Sequence, residues 1–325
     1  MRRGAAAPSG ALKVLYIGGY GRSGSTVLDR ILGAVPGAVS VGEVRSIWGA
    51  VLRQDRLCAC GQRFSMCPFW TEVGARAFGG WDTPVVRRAL DAHRAVDRHR
   101  HMPMLLSGRG SPAFRRELGL FTDALDELYR AVAQVGKAEV VVDASKYPIY
   151  AAILRRVPSI DLRIVHLIRD ARGAAYSWSK EGVVKPDAVG EDTYMPTYRA
   201  SRASTEWLFY NLSFDVLKAM HVPEIRVRYE SFVSDPRPCV ASIARFASLP
   251  FGEDVLRYID GTDVHLHGTE HALGGNPARF GDGSTLALRA DAAWKERMAP
   301  GQRRTVTMLT APLLLRYGYL GRRGR

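Results

Sequence analysis

The segment that most limits what this chain can fold into runs from Leu12 to Val35. Leu12-Lys13-Val14-Leu15-Tyr16-Ile17 has strand composition, the glycine-rich run Gly18-Gly19-Tyr20-Gly21-Arg22-Ser23-Gly24 breaks it, and Val27, Leu28, Ile31, Leu32 and Val35 then recur at helical spacing up to Pro36-Gly37. Strand, glycine loop and helix in that order bring unpaired helix amides to the end of a strand, where the helix dipole also favours an anion. The spacing nearly meets the phosphate-cradling pattern G-x-x-x-x-G-K-[ST]. Ser25 stands where the lysine belongs, and the cation comes three residues earlier as Arg22. A nucleoside triphosphatase without that lysine loses a main contact to the transferred phosphate, and Asp143 is the one candidate for an acidic strand end that would hold magnesium. Arg22, Ser23, Gly24, Ser25 and Thr26 suit a terminal anion held by amides, hydroxyls and a guanidinium, with no metal required.

Further strands are predicted at 139–143, 162–168 and 225–229. Ile149, Tyr150, Ile153, Leu154 and Val157 mark a helix between the first two of these, so that pair should be parallel with a right-handed crossover. A helix with Trp207, Leu208, Leu212 and Leu217 on its apolar face precedes the strand at 225–229, and helices are expected over 238–247 and from about 288 to the C-terminus. Residues 1–10 read as a disordered leader, and 261–284, rich in Gly, Asp, Asn and His, as loop. No repeat or linker divides the chain. The expectation is one α/β domain over 1–325, P-loop-like, with three α/β/α layers about a mainly parallel sheet and helical insertions at 46–136 and 181–205.

Tyr20-Gly21-Arg22-Ser23-Gly24-Ser25-Thr26-Val27-Leu28 resembles the 5′-phosphosulfate-binding loop of sulfotransferases that use 3′-phosphoadenosine 5′-phosphosulfate (PAPS), and arginine at position 22 resembles the carbohydrate and tyrosylprotein branch of that family. The segment Ile164 to Ser177, which carries Arg169-Asp170-Ala171-Arg172, resembles the family's 3′-phosphate motif, a strand followed by Arg-Asp-x-Arg-x-x-x-x-Ser. An arginine at a strand's carboxyl end and a serine about two helical turns on can converge on one phosphate at a sheet crevice. Val227-Arg228-Tyr229-Glu230 with Asp235-Pro236 resembles the family's later strand, and Gly275-Asn276-Pro277-Ala278-Arg279-Phe280 the loop that closes over the nucleotide. The resemblance implies PAPS as co-substrate, held by Arg22, Ser23, Gly24, Ser25, Thr26, Arg169, Ser177, Tyr229, Asn276, Pro277 and Arg279.

Sulfuryl transfer needs a base for the acceptor hydroxyl, a cation for the departing phosphate oxygen, and alignment of the two oxygens through sulfur. Glu43, in Ser40-Val41-Gly42-Glu43-Val44, follows the first helix and a short return toward the sheet, and a Gly-Glu here resembles the base of tyrosylprotein-type relatives. Lys146, in Asp143-Ala144-Ser145-Lys146-Tyr147-Pro148, sits at a strand's carboxyl end, where a cation starting a helix is unfavourable unless an anion is near. With Arg22 these form the catalytic set. His166 lies mid-strand and reads as a core histidine, while His93, His99 and His101 of the basic insertion stay open as bases. Cys58, Cys60 and Cys67, with His93 as a distant fourth group, read as a packed loop beside the acceptor pocket, because structural zinc more often uses paired C-x2-C spacing.

The chain carries a formal charge of +14, and only 7 of its 46 cations are lysine. Such a balance draws phosphate and sulfate groups, so nucleic acid, anionic lipid and a charged nucleotide all fit it. No aromatic and basic recognition motif accompanies the charge, which leaves nucleic-acid binding, like a P-loop kinase or NTPase, as an alternative rather than the expected function. No apolar run approaches the roughly 20 residues of a membrane span, and four cysteines do not make a secreted disulfide framework, so a soluble cytoplasmic protein is expected, with peripheral membrane contact open. Trp48, Phe69, Trp70, Trp81, Tyr194 and Tyr198 among the insertion arginines suit an amphipathic acceptor such as a glycolipid, saccharide or glycosylated natural product.

Overall fold

Alternation along the strands decides the layering. The computed structural model describes residues 10–189, 194–266, 270–280 and 285–321. In β1 (Leu12–Gly18), Val14 and Tyr16 face one apolar cluster while Leu15 and Ile17 face another, as a period of two requires of a strand buried on both sides. β2 (Ala38–Gly42), β3 (Val140–Lys146), β4 (Ile160–Ile168) and β5 (Glu224–Arg228) join it in one parallel sheet of order β2-β3-β1-β4-β5. The helices Ser25–Gly33 and Pro236–Ala247 cover one face, and Pro112–Gly136 and Pro148–Leu154 the other, giving three α/β/α layers. Around Ala171–Trp178, the helices Ala200–Ala219 and Pro300–Arg316 build a further apolar cluster beside β4 and β5.

Every strand predicted from composition is present with ends moved by a few residues, and Tyr229 opens the helix Tyr229–Ser234 instead of closing β5. β2 was not expected. It is five residues long with three of them only half-buried, too short and too small in side chain to give a periodic signal. The region 46–136 is helical, as read. Residues 181–189 and 194–199 instead form no helix and are tied by a bridge between Val184 and Tyr194; helix begins only at Ala200. Leu212, placed on the apolar face of that helix, is exposed. Within the expected loop, β7 (Asp263–His265) is a strand that pairs with β6 (Ile259–Asp260) on one side and β8 (Thr285–Ala287) on the other in a small antiparallel sheet. The rest of that region at 267–269 and 281–284, like the leader at 1–9, lies outside the described residues. Among the described residues no helix is long and apolar enough to cross a membrane.

Register sets where the chemistry can sit. Gly18 pairs with Lys146 and Gly42 with Asp143, each just past an irregularity in its ladder, so the carboxyl ends of β1, β2 and β3 finish side by side. β1 lies between β3 and β4, which places the loop after it in the crevice where an open parallel sheet binds ligands.

Candidate active site

The loop between β1 and the helix Ser25–Gly33 is shaped by two close approaches. Gly19 has φ 137°, and a Cβ there would run into the Leu167 carbonyl; Gly24 has φ 84° and caps the helix with its Cα against the Tyr229 ring. The helix has no side-chain cap and no acidic residue in its first turn, an arrangement suited to an anion. Ser23 Oγ is buried without a hydrogen-bond partner. Arg22 Nε donates to Ser177 Oγ at 3.0 Å. Burial, with Arg169 nearby, holds the Arg22 guanidinium below its ordinary pKa, an unfavourable charge that an anion would relieve.

Arg169 leaves the end of β4 toward the same loop. One guanidinium nitrogen donates to the Arg22 carbonyl at 2.7 Å and the other to the Asp291 carbonyl at 3.0 Å, while the group lies 4.6 Å above the Tyr229 ring. Lys180 Nζ and Arg169 each stand 3.2 Å from Asp291 Oδ2. Burial alone would raise the Asp291 pKa, but Arg169 and then Lys180 hold it below the usual carboxylate range. These groups line a cavity of about 380 Å³ whose cationic end is Arg22, Arg169 and Lys180, beside Ser177, and whose apolar walls include Val27, Val233, Leu286 and Leu288.

A second cavity, of about 200 Å³, shares Arg22, Gly24 and Asn276 with the first. Glu43 and Lys146 line it, with Glu43 Oε1 2.5 Å from Lys146 Nζ. Leu273 donates to the Val41 carbonyl at 2.9 Å and accepts from Glu43 N at 2.8 Å, so the strip 271–276 runs along β2 and carries Asn276 into both cavities. A wall of Tyr20, Tyr147, Trp178, Tyr198 and Tyr210 completes the lining, with Trp178 and Tyr198 stacked at 4.6 Å and Tyr20 edge-on to Tyr210 at 5.5 Å. Arg56 and Lys185 border the same space.

Of the sequence-predicted residues, Arg22, Gly24, Ser25, Thr26, Glu43, Lys146 and Asn276 line the smaller cavity, and Arg22, Gly24, Arg169, Ser177, Tyr229, Asn276 and Pro277 the larger, so that Arg22, Gly24 and Asn276 belong to both. Ser23 and Arg279 line neither; Arg279 is fully buried, 2.9 Å from Asp29 Oδ2. Asp143 also lies away from both, accepting from Tyr129 Oη at 2.5 Å and Ser145 N at 2.8 Å, and burial pushes its pKa up to about 7. His166 is buried with Nε2 2.9 Å from Asn211 Oδ1. His93 sits 2.8 Å from Asp97 and His101 3.0 Å from the Val96 carbonyl, while His99 packs on Phe209 at 4.7 Å; none of the three lines a cavity described here.

Of the aromatic residues expected at the acceptor site, Tyr198 is in the wall, but Trp48 and Trp70 are buried in the core and Tyr194 is exposed outside it. Some arginines of the basic insertion make exposed local pairs, such as Arg87 with Asp82 at 2.6 Å and Arg94 with Asp91 at 3.0 Å, and none between 85 and 116 lines either of these two cavities. Sequence reasoning missed Lys180, Asp291, Tyr147 and Tyr210. Lys180 follows Ser177 by one helical turn, which is the signal that could have found it.

A family model described as "Sulfotransferase family" matches residues 15–253. No curated protein matches the chain. Solved structures similar to it include the sulfotransferase domain from the Synechococcus PCC 7002 olefin synthase, at 18% identity and a TM-score of 0.49 over 96% of this chain and 97% of that one. The sulfotransferase domain from the curacin biosynthetic pathway is 15% identical, TM-score 0.49, over 95% and 98% of the two chains. Sulfotransferase STF9 from Mycobacterium avium is 12% identical, TM-score 0.46, over 98% of this chain and 79% of that one.

Proposed function

This chain belongs to the sulfotransferase family, and from that premise we propose that it moves a sulfuryl group from PAPS to a hydroxyl of an amphipathic acceptor. The observation that carries the reading is the meeting of two cavities at the glycine loop, with a carboxylate and an ammonium paired in the smaller one. The residues fit the donor. An uncapped helix, the unpartnered Ser23 hydroxyl and the buried Arg22 guanidinium suit its 5′ end; Arg169, Ser177 and Lys180 suit its 3′-phosphate; Val27, Val233 and Leu288 suit an adenine ring.

PAPS, when bound, supplies a sulfuryl group on a phosphate that leaves readily. Glu43 takes the proton of the acceptor hydroxyl as the oxygen-to-sulfur bond forms. The sulfur-to-oxygen bond to the 5′-phosphate breaks with its electron pair kept by the phosphate, and Lys146 and Arg22 meet that charge. Arg279, braced on Asp29, acts here by holding the strip that carries Asn276 rather than by touching the nucleotide. For the acceptor, the tyrosine and tryptophan wall suits an apolar or sugar face.

Thermal denaturation with 3′-phosphoadenosine 5′-phosphate, the desulfated donor, tests the reading. A midpoint that climbs with ligand concentration is expected, since binding to the native state must raise stability. Incubation with PAPS and a panel of hydroxyl acceptors should then yield a product heavier by one sulfo group. Absence of any shift, or magnesium-dependent ATP turnover by the pure protein, would overturn it.

A further inference from the structure

Three cysteines that sulfuryl transfer leaves unused converge on a histidine 204 residues beyond the last of them. We infer that Cys58, Cys60 and Cys67, through their sulfurs, and His271, through Nδ1, bind a single zinc ion that fastens the cysteine loop to the strip bordering Glu43. The inference does not depend on the proposed donor or acceptor, because none of the four side chains takes part in that chemistry.

The spacing is that of one tetrahedral ion. Bonds of about 2.3 Å to sulfur and about 2.0 to 2.1 Å to nitrogen place neighbouring sulfurs about 3.8 Å apart and sulfur about 3.6 Å from nitrogen. In this chain Cys67 lies 3.6 Å from Cys58 and 3.7 Å from Cys60, and His271 Nδ1 lies 3.3 Å from Cys67 and 4.0 Å from Cys58. All four ligand atoms fall within 4.8 Å of one another. A disulfide would need about 2.05 Å, and three sulfurs cannot pair off among themselves. All four cysteines of the chain are free thiols. Thiols hydrogen-bond weakly, so three of them and an imidazole nitrogen turned toward one point, with Cys58 and Cys67 fully buried, have little to hold them together without an ion.

The surroundings fix the ligands as a metal site requires. Phe69 stacks on the His271 ring at 5.2 Å with 4° between planes, and Trp70 Nε1 donates to the His271 carbonyl at 2.7 Å. Cys67 stands at the N-terminus of the eleven-residue helix Pro68–Phe78, where the dipole favours a thiolate. Three thiolates and an imidazole form a set that selects zinc over the harder divalent ions. His93, the distant fourth group that the sequence offered, is committed to Asp97, and His271 takes the place beside the three sulfurs. The consequence for the site runs through the backbone. Ala59 N donates to the Ala272 carbonyl at 3.1 Å, and the next residue, Leu273, bonds both Val41 and Glu43, so an ion at His271 anchors the strip that positions the base.

Metal analysis of the full chain, purified without chelator, tests this directly. About one zinc per chain is expected, with at most Cys239 open to a thiol reagent until chelator and denaturant are added. Exchange for cobalt(II) should produce thiolate-to-cobalt charge transfer and the strong visible bands of a tetrahedral site. His271→Gln should lower zinc affinity by at least about tenfold. Should Cys67→Ser fail to fold, the zinc content and cobalt spectrum of the natural chain still decide. A folded chain that keeps less than about a tenth of an equivalent after zinc is added, with all its thiols reactive, overturns the proposal. So does a disulfide between Cys58 and Cys67 found by mass.

Discussion

Glu43 and Lys146 neutralise each other across 2.5 Å at the ends of two adjacent parallel strands, β2 and β3. The pair joins the proposed base to the cation proposed for the leaving oxygen. Each therefore has a partner before donor and acceptor arrive, and an anion in the loop competes with Glu43 for Lys146. Releasing Glu43 as the donor docks would couple the two halves of the reaction.

Glu43→Gln keeps the shape of the side chain and removes its ability to take a proton. Turnover should fall by about 10² to 10⁴, the usual reach of a general base, while calorimetry finds the affinity for 3′-phosphoadenosine 5′-phosphate nearly unchanged. Retention of more than about a tenth of the rate would remove Glu43 from that role.

Arg169 and Ser177 line the larger cavity, and Ser177 also accepts from Arg22. Arg169→Ala should weaken the desulfated nucleotide by about 10- to 100-fold and Ser177→Ala by about 3- to 10-fold, as charged and neutral hydrogen bonds differ in worth. Equal affinities for the variants and the natural chain, by the same calorimetry, would move the nucleotide elsewhere.

Arg279 and Asp29 are both fully buried and 2.9 Å apart, and burial pushes the Asp29 pKa up in spite of the guanidinium. Arg279→Met leaves that carboxylate without its partner and should cost about 3 to 5 kcal/mol in urea denaturation, with Asp29→Asn restoring part of the loss. Unchanged stability with lost nucleotide binding would show instead that Arg279 reaches the ligand.

Asp143 gives the stability a dependence on pH. Its pKa is pushed up to about 7 by burial, with hydrogen bonds from Ser145 and Tyr129 opposing only in part. The folded chain thus holds a proton that the unfolded chain releases near pH 4. The stabilisation is complete below about pH 4 and is lost as the pH rises through about 7. Denaturation midpoints for the natural chain, relative to Asp143→Asn, should decline across that window. Parallel curves would contradict the assignment.

Tyr198 stacks on Trp178 in the aromatic wall, and Arg202 lies 4.0 Å over its other face. Tyr198→Ala should raise KM for the acceptor by about 3- to 10-fold, the worth of one aromatic contact, and leave donor affinity alone. A change in donor affinity with constant acceptor KM would assign the wall to the nucleotide.

How much of this was legible depends on distance along the chain. The strand, loop and helix from Leu12 onward and the segment from Arg169 to Ser177 carry their geometry locally, so spacing together with the family resemblance picked out Arg22, Gly24, Arg169 and Ser177, which line the larger cavity. β2 escaped because Ala38–Gly42 is short and half-buried, although the Gly-Glu after it was found. Tyr147, Tyr210 and Asp291 reach the cavities only through tertiary packing, and no periodicity announces that. Arg279 was expected as a ligand contact because its loop resembles the one that closes over the nucleotide; its partner Asp29 lies on a helix 250 residues earlier. His271 was invisible for the same reason, far from the cysteines in a segment read as loop.

The positions of Glu43 and Lys146 are set by neighbouring strands of the central sheet, whereas Met195, Tyr198 and Tyr210 in the lining of the adjoining cavity come from the segment before Ala200 and the helix after it. That part of the lining depends on a different stretch of the chain. Rebuilding the peripheral segments would change which hydroxyl is admitted without moving the groups that act on it, so acceptor choice in this scaffold can drift or be engineered while the reaction stays the same.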